Sequence, residues 1–140
     1  MGEPTKRQYH HTNMRAGLGH VGAYQVSGRP WITGSTSLDS GEQAKIEFPT
    51  IAKSVTVINQ SSTGVDLRVH FTDKDVGDTT NGKHYITLTE NRDSITMNAK
   101  CKEIYITSQA AGGKFEVWAE LTNIPNTEMY NLTGSGLTEA

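Results

Sequence analysis

Hydrophobic and polar residues alternate with a period of two through much of the chain. The clearest case is Val65, Leu67, Val69 and Phe71, which are separated by polar or charged residues. Successive side chains of a β-strand point to opposite faces, so this pattern predicts a strand with one buried face. His70 falls on the opposite face and is predicted to point to solvent. Similar patterns recur in six further segments: residues 43–48, 55–58, 83–89, 94–97, 104–107 and 115–121.

Turn-forming residues separate these segments. Pro49 cannot donate to a strand ladder and is predicted to end the first of them. Residues 59–64 and 110–113 are rich in Asn, Ser and Gly, which favour turns. No window longer than ten residues has helical spacing. The pattern therefore predicts an all-β fold of about seven strands, either an antiparallel β-sandwich or a small barrel.

The first 42 residues differ from this pattern. They contain seven of the 14 glycines and have no helical period. Aromatic and aliphatic residues nevertheless recur in them, which is unusual for a disordered linker. We expect an extended N-terminal arm over 1–42, with short strands at 24–26 and 29–32. A β body over 43–122 and an irregular C-terminal tail over 123–140 complete the predicted organisation.

Charge divides the chain in a similar way. Residues 1–30 contain four basic residues and one acidic residue, a net charge of +3, which leaves −5 for the other 110 residues. This asymmetry predicts either a solvated tail or an arm that docks on an acidic neighbour, such as another copy of the chain. The pI near 6.2 gives no overall signature of nucleic-acid binding. The sequence contains no run of 18 apolar residues, so no membrane-spanning helix is predicted. The first residues also lack the apolar stretch of a signal peptide.

The sequence contains weak candidates for a metal site or an active site. Asp73, Asp75 and Asp78 lie in one loop, but the order of Gly77 and Asp78 does not fit the usual calcium loop. The segment GLGHVG at 17–22 matches a dinucleotide-binding motif in letters only, because no strand and helix flank it. We therefore expect no metal and no cofactor.

The single cysteine, Cys101, cannot form an internal disulfide, which suits assembly in a reducing cytosol. Lys100 and Lys102 flank it and are expected to lower its thiol pKa. No general base accompanies it, and no serine lies in a nucleophile motif. These observations predict a protein that is not an enzyme.

Trp118 is the main candidate for a partner contact in the body. It lies on the polar face of its strand, between Glu116 and Glu120. An exposed tryptophan often anchors a partner, although the arm or a neighbouring subunit covering this face is the alternative. Tyr105 is a second candidate for an exposed aromatic residue. The remaining candidate partner-binding residues lie in the arm and the tail: Arg15, His20, Tyr24, Arg29, Trp31, Tyr130 and Leu132.

Three segments carry a resemblance to a known class of proteins: GLGHVGAYQVSGRP at 17–30, FEVWAELTNIP at 115–125 and YNLTGSG at 130–136. Together with the strands between them, they resemble small structural proteins of tailed-bacteriophage virions. The resemblance implies a non-enzymatic capsid decoration or cement protein on the outer capsid surface, assembled in the host cytoplasm. Its implied partners are the major capsid protein and copies of itself in a homo-oligomer, with no nucleic acid, membrane or cofactor.

Two other functions remain open at this point. Similar β domains also build phage tails, collars and baseplates, and a fold does not determine a function. A carbohydrate-binding module or adhesin would use an exposed aromatic platform, for which Trp118 and Tyr105 are the candidates.

Overall fold

The protein is described here from a computed structural model, which describes residues 17–25, 28–75, 84–89 and 91–130. Every strand pairing in these residues is antiparallel. The strands are β1 (Arg29–Leu38), β2 (Gln43–Asn59), β3 (Leu67–His70), β4 (Ile86–Leu88), β5 (Ser94–Met97), β6 (Cys101–Ser108) and β7 (Gly113–Leu121). A helical turn, α1 (Gly22–Gln25), precedes them and a 3-10 turn (Asn126–Glu128) follows. The prediction of an all-β fold is confirmed.

Strand β2 is long enough to take part in both halves of the fold. Residues 43–47 pair with β6, whereas residues 55–58 lie between β7 and β5. Pro49 lies where the register of the β2–β6 pairing shifts, so its missing N–H costs no ladder hydrogen bond there. The prediction that Pro49 ends a strand is therefore wrong, because the chain stays extended and changes its partner strand.

Strand β2 thereby connects the described strands into one antiparallel sheet of seven strands. We call the part with the order β5–β2–β7–β1 the first sheet and the part with the order β2–β6–β3–β4 the second sheet. All seven strands contribute to one hydrophobic core between them, which includes the fully buried Val57, Leu67 and Ile106. The arrangement is an antiparallel β-sandwich, which is the first of the two architectures that the alternating pattern predicts.

Strand β1 belongs to the body and not to an arm. Its residues 29–35 pair with β7, from Leu121 to Phe115. A Cβ atom at Gly34 would lie 2.8 Å from the carbonyl oxygen of Phe115, so a glycine is needed for this pairing. The predicted boundary at residue 42 thus differs from the structure, because β1 is rich in Gly, Ser and Thr and has a weak hydrophobic pattern.

A second, smaller core lies outside the main one. It contains Ile51, Ile124 and Met129, against which Leu18 and Tyr24 pack. This cluster ties the segment before β1 and the segment after β7 to the middle of β2. The short strand predicted at 24–26 is wrong over its described residues, which end the α1 turn. Residues 1–16 of the predicted arm and 131–140 of the predicted tail lie outside the described residues.

Within the described residues, no helix has both the length and the hydrophobicity that crossing a lipid bilayer requires.

Candidate functional site

The outer face of the first sheet carries two large apolar side chains next to each other. Ile32 on β1 is paired with Trp118 on β7, and the two are 73% and 41% exposed. The same row continues through Thr56 on β2 to Thr96 on β5, whose hydroxyl groups lie 2.9 Å apart. We call this row of Ile32, Trp118, Thr56 and Thr96 the docking face. Trp118 lies on the polar face of its strand, as the alternation predicts, and the described part of the chain leaves it exposed. Cover by a neighbouring subunit, the alternative named above, is not tested by the isolated chain.

Two carboxylates lie on either side of Trp118 along β7, and both have partners. Glu116 accepts a hydrogen bond from the Gln60 amide at 3.0 Å. Glu120 accepts one from the Ser54 hydroxyl at 2.7 Å and lies 3.9 Å from Lys53 Nζ. These contacts hold both carboxylates in place, so the docking face has an apolar centre with a fixed acidic border.

Tyr24 contacts the body of the protein rather than the solvent. Its ring packs on the smaller core, and Lys100 Nζ lies 5.2 Å from the ring centre. Its carbonyl oxygen accepts a hydrogen bond from Lys53 Nζ at 3.2 Å. The hydroxyl oxygen is buried without a hydrogen-bond partner, and burial raises the pKa of Tyr24. The structure thus places Tyr24 as an anchor for the segment before β1.

The other predicted arm residues do not lie together. His20 and Arg29 are exposed, and Arg29 donates a long, 3.4 Å hydrogen bond to Thr50 Oγ1. Trp31 is half-buried on the inner side of β1, where its ring meets Phe48 edge-on with 5.1 Å between ring centres. Trp31 therefore stabilises the core, and its neighbour Ile32 is the residue on the outer face.

The predicted tail residues are only partly described. Tyr130 is 40% exposed and lines a small cleft with Phe71, Lys102 and Met129, away from the docking face. Leu132 and the arm residue Arg15 lie outside the described residues.

The outer face of the second sheet holds a buried polar network that the sequence pattern does not predict. His70 is 2% exposed, and its Nδ1 donates to the carbonyl oxygen of Thr72 at 2.6 Å. A carbonyl oxygen only accepts, so Nε2 of the neutral ring accepts from the Thr107 hydroxyl at 2.7 Å. The ring stacks on Tyr105 with 5.8 Å between centres. The prediction that His70 faces solvent is wrong, because the chain after β3 folds back over it.

Tyr105 is also buried, at 8% exposure, so it forms no exposed aromatic platform with Trp118. Its hydroxyl donates to Glu103 at 3.0 Å. Burial, followed by the contact with Glu103, raises the pKa of Tyr105 to about 12. The alternation in β6 correctly assigns Tyr105 to the outer face of the second sheet. Other residues, among them His70, cover that face around Tyr105.

Burial is the largest influence on His70 and lowers its pKa. The hydrogen bond to Thr72 and the negative charge of Asp73 oppose this effect, and the positive charge of Arg68 adds to it. The folded protein therefore disfavours the imidazolium form of His70.

Stability should consequently fall as the pH is lowered from about 7.5 to about 5.5. The unfolded chain takes up a proton at His70 near its ordinary pKa of about 6.5, whereas the folded chain resists it. One such group changes the free energy of unfolding by at most about 1.4 kcal/mol per pH unit. Urea denaturation at several pH values, followed by tryptophan fluorescence, measures this slope. We expect His70→Gln to flatten it and His20→Gln, at an exposed position, to preserve it; equal slopes for His70→Gln and the wild type contradict the assignment.

Cys101 does not have the properties of a reactive thiol. It is 1% exposed, and burial raises its pKa to about 12. Lys100 Nζ donates instead to the carbonyl oxygen of Leu18 at 3.1 Å. The expectation that the flanking lysines lower the thiol pKa is therefore wrong, since desolvation outweighs their charge.

The acidic loop is described up to Asp75, and Asp78 lies outside the described residues. The Asp73 carboxylate accepts hydrogen bonds from the Asp75 backbone N–H at 2.9 Å and from the Gln43 amide at 3.2 Å. The bond from Asp75 is the main reason that the pKa of Asp73 is lowered. In the described part of the chain, no three His, Cys, Asp or Glu residues lie close enough to hold a metal ion.

Two residues of interest escape the sequence analysis. Ile32 lies in a segment whose hydrophobic pattern is weak, and only the pairing of β1 with β7 brings it beside Trp118. Arg68 has the appearance of a solvated charge on the wet face of β3, although it is half-buried in the structure. For Arg68 the signal is the strict alternation over residues 65–71, which assigns it to the outer face without saying what else lies there. For Ile32 the sequence contains no comparable signal.

No protein-family model matches the chain, and no curated protein matches it. Among solved structures, the chain is similar to a cupin superfamily protein from Desulfitobacterium hafniense DCB-2, with 13% sequence identity. That match covers 71% of this chain and 86% of the other, with a TM-score of 0.40. A similarity of this extent supports no functional assignment.

Proposed function

We propose that the protein is a non-enzymatic structural protein of a bacteriophage virion, of the capsid decoration type, which binds the outer shell through its docking face. The observation that carries this proposal is the neighbouring pair of Ile32 and Trp118, both exposed on the outer face of the first sheet. Apolar side chains grouped at the surface mark interaction sites, and tryptophan is a frequent energetic centre of an interface. The resemblance in sequence supplies the partner, the major capsid protein.

Several features support a structural rather than a catalytic role. The one cysteine is buried with a raised pKa, and the carboxylates beside Trp118 are held by hydrogen bonds. A sheet face whose carboxylates already have partners suits repeated docking on a lattice. Many copies on one shell make modest contacts sufficient, because linked copies bind with avidity. Further copies of the chain in a homo-oligomer are the second proposed partner.

The basic N-terminal segment is proposed to add contacts to the shell or to a neighbouring copy. Residues 1–30 carry a net charge of +3, and the rest of the chain carries −5. A test of this role has to respect strand β1. Removing residues 1–16 keeps every described contact, whereas removal up to residue 40 would delete β1 and its pairing with β7.

The main test removes the centre of the docking face. We expect the double variant Ile32→Ser/Trp118→Ala to bind shells at least about 30-fold more weakly, since an anchoring tryptophan contributes about 2 kcal/mol or more. The matched control is Ile86→Ser, which removes another exposed isoleucine on the second sheet. Co-sedimentation with virions assembled without the protein gives the affinity, and light scattering of the isolated protein gives its oligomeric state. Wild-type binding by the double variant would exclude the docking face as the contact.

The copy number in purified virions tests the function itself. Quantitative mass spectrometry should find this chain in the hundreds per particle if it decorates the shell. A few copies would replace this role by a tail, collar or baseplate role, and complete absence from particles would overturn the virion proposal.

A carbohydrate-binding module or adhesin is the second candidate. The observation that favours it is the exposed Trp118 ring between two carboxylates, an arrangement of stacking surface and hydrogen-bond acceptors that suits a sugar. Calorimetric titration with glycans of the host surface distinguishes it. Heat of binding that disappears in Trp118→Ala supports this candidate, and a flat titration of the wild type rejects it.

A further inference from the structure

A second polar feature lies on the other sheet, away from the docking face. A cavity of about 250 Å³ opens between the ends of β3 and β6 and the residues that precede β4. Arg68 and His70 of β3 line it, together with Thr107 of β6 and Gln109 just beyond it. These side chains are on the face opposite the core residues Leu67, Val69 and Ile106. Polar and charged residues therefore supply most of the lining, and the sheet separates the cavity from the hydrophobic core.

Arg68 is the unusual member of this group. Its guanidinium carbon lies 4.3 Å from the centre of the Tyr85 ring, and its Nε is buried without a hydrogen-bond partner. Within the described residues no carboxylate forms an ion pair with it. A buried donor that lacks a partner destabilises the folded protein, so an acceptor that reaches Nε would stabilise it. The contact with Tyr85 fixes the position of the guanidinium group while its Nε–H stays unsatisfied.

The surroundings of Arg68 favour an anion. His70 already uses both ring nitrogens, toward Thr72 and Thr107, so it offers no base and no further donor. Lys74 also lines the cavity and lies 3.2 Å from Asp75, whose negative charge offsets its own. Among the described residues that line the cavity, the guanidinium of Arg68 is thus the cation without a recorded ion pair. A guanidinium offers parallel N–H donors that match the two oxygens of a carboxylate or phosphate.

From this arrangement we propose that the cavity binds a small hydroxylated ligand that carries a carboxylate or phosphate group, with the oxyanion on Arg68. The volume of about 250 Å³ exceeds what a bare inorganic ion fills and lies just below the range of about 300–1,000 Å³ that is typical of sites for drug-sized ligands, so it suits a smaller molecule. The Gln109 amide and the backbone at Gly41 add polar groups for the uncharged part of the ligand. A sugar acid or a sugar phosphate has this combination of size, hydroxyl groups and charge.

The direct test is an NMR titration of the wild-type protein that follows the Arg68 Nε–H signal. The probes are D-glucuronate, glucose 6-phosphate, inorganic phosphate and, as the uncharged control, glucose. We expect the signal to move with glucuronate or glucose 6-phosphate and to stay unchanged with glucose. The first two probes separate a carboxylate ligand from a phosphate ligand. No shift with either of them, or an equal shift with glucose, overturns the proposal.

Two variants then distinguish the contribution of the paired N–H donors of the guanidinium from the contribution of its positive charge. Arg68→Lys keeps the positive charge, and the loss of the Nε–H signal in this variant assigns that signal to Arg68. Arg68→Gln removes the charge. We expect Arg68→Gln to weaken binding by about 10- to 100-fold, as for loss of a charge-assisted hydrogen bond. Arg29→Gln, an exposed arginine on the first sheet, is the matched control and should bind like the wild type. If Arg68→Gln does not fold, the wild-type titration alone decides. Because the docking face lies on the other sheet, shell binding by Ile32→Ser/Trp118→Ala reports on the proposed function independently.

Discussion

Replacement of Asn59 by alanine should lower the free energy of unfolding by about 3–5 kcal/mol. Asn59 is fully buried at the end of β2. Its Nδ2 donates to the carbonyl oxygens of Val65 at 3.1 Å and Leu88 at 3.0 Å, and its Oδ1 accepts from the Ser61 N–H at 2.9 Å. The alanine variant leaves three buried backbone groups without partners, each of which costs roughly 1–3 kcal/mol. Urea denaturation followed by circular dichroism measures the change.

Two further variants make this expectation specific to the hydrogen bonds. Asn59→Asp keeps the acceptor but puts a second oxygen against the carbonyl oxygens of Val65 and Leu88, so it should destabilise at least as strongly as alanine. Asn123→Ala removes an exposed asparagine and should change the free energy of unfolding by less than about 0.5 kcal/mol. A loss of less than about 1 kcal/mol in Asn59→Ala would show that water or a rearranged turn satisfies these groups.

The second large effect is expected at Phe48. This side chain is 1% exposed where β2 passes from one sheet to the other, and Trp31 packs edge-on against it. Phe48→Ala leaves a cavity in the main core and should lower the free energy of unfolding by about 3–5 kcal/mol. Phe48→Leu retains most of the buried volume and should cost less than about 1.5 kcal/mol. The same denaturation measurement gives both values.

Trp118→Ala is the informative control, because it removes a larger aromatic side chain from an exposed position. It should change the free energy of unfolding by less than about 1 kcal/mol, since surface substitutions away from special contacts have small effects. If Trp118→Ala destabilises as much as Phe48→Ala, then Trp118 belongs to the core and the docking face is wrong. If the two differ as expected, loss of shell binding in Trp118→Ala reports on an interface and not on unfolding.

The difference in burial between Phe48 and Trp118 also shows how much of the fold follows from the alternation of hydrophobic and polar residues. The alternation over β7 assigns Phe115, Val117 and Ala119 to the core and Trp118 to the outside, and the structure agrees. The pattern is reliable there because β7 has neighbouring strands on both sides and one wet face. Within the described residues the number of strands also agrees with the prediction of about seven. Two differences compensate for each other there, because two predicted segments form the single strand β2 and β1 lies in the predicted arm.

The candidate site was less predictable than the fold. Trp118 was identified by its position between two glutamates, whereas Ile32 became its neighbour only through the pairing of β1 with β7. Tyr24 and Trp31 are large aromatic residues in a polar segment, and this pattern predicts partner contacts for both. Both pack on the protein's own core, since a segment that folds back on the body uses its aromatic residues for burial.

The alternating pattern is sufficient to predict the all-β class, the two-residue period of the core and the outward direction of Trp118. These properties depend on local geometry, because successive side chains of a strand must point to opposite faces. The folded structure is needed to show that β2 serves both sheets, that β1 completes the first one and that His70 and Tyr105 are covered. It is also needed to place Arg68 against Tyr85 at a cavity. Pairing partners and the covering of an outer face depend on contacts between residues far apart in the chain, and a short-range periodic pattern carries no information about those contacts.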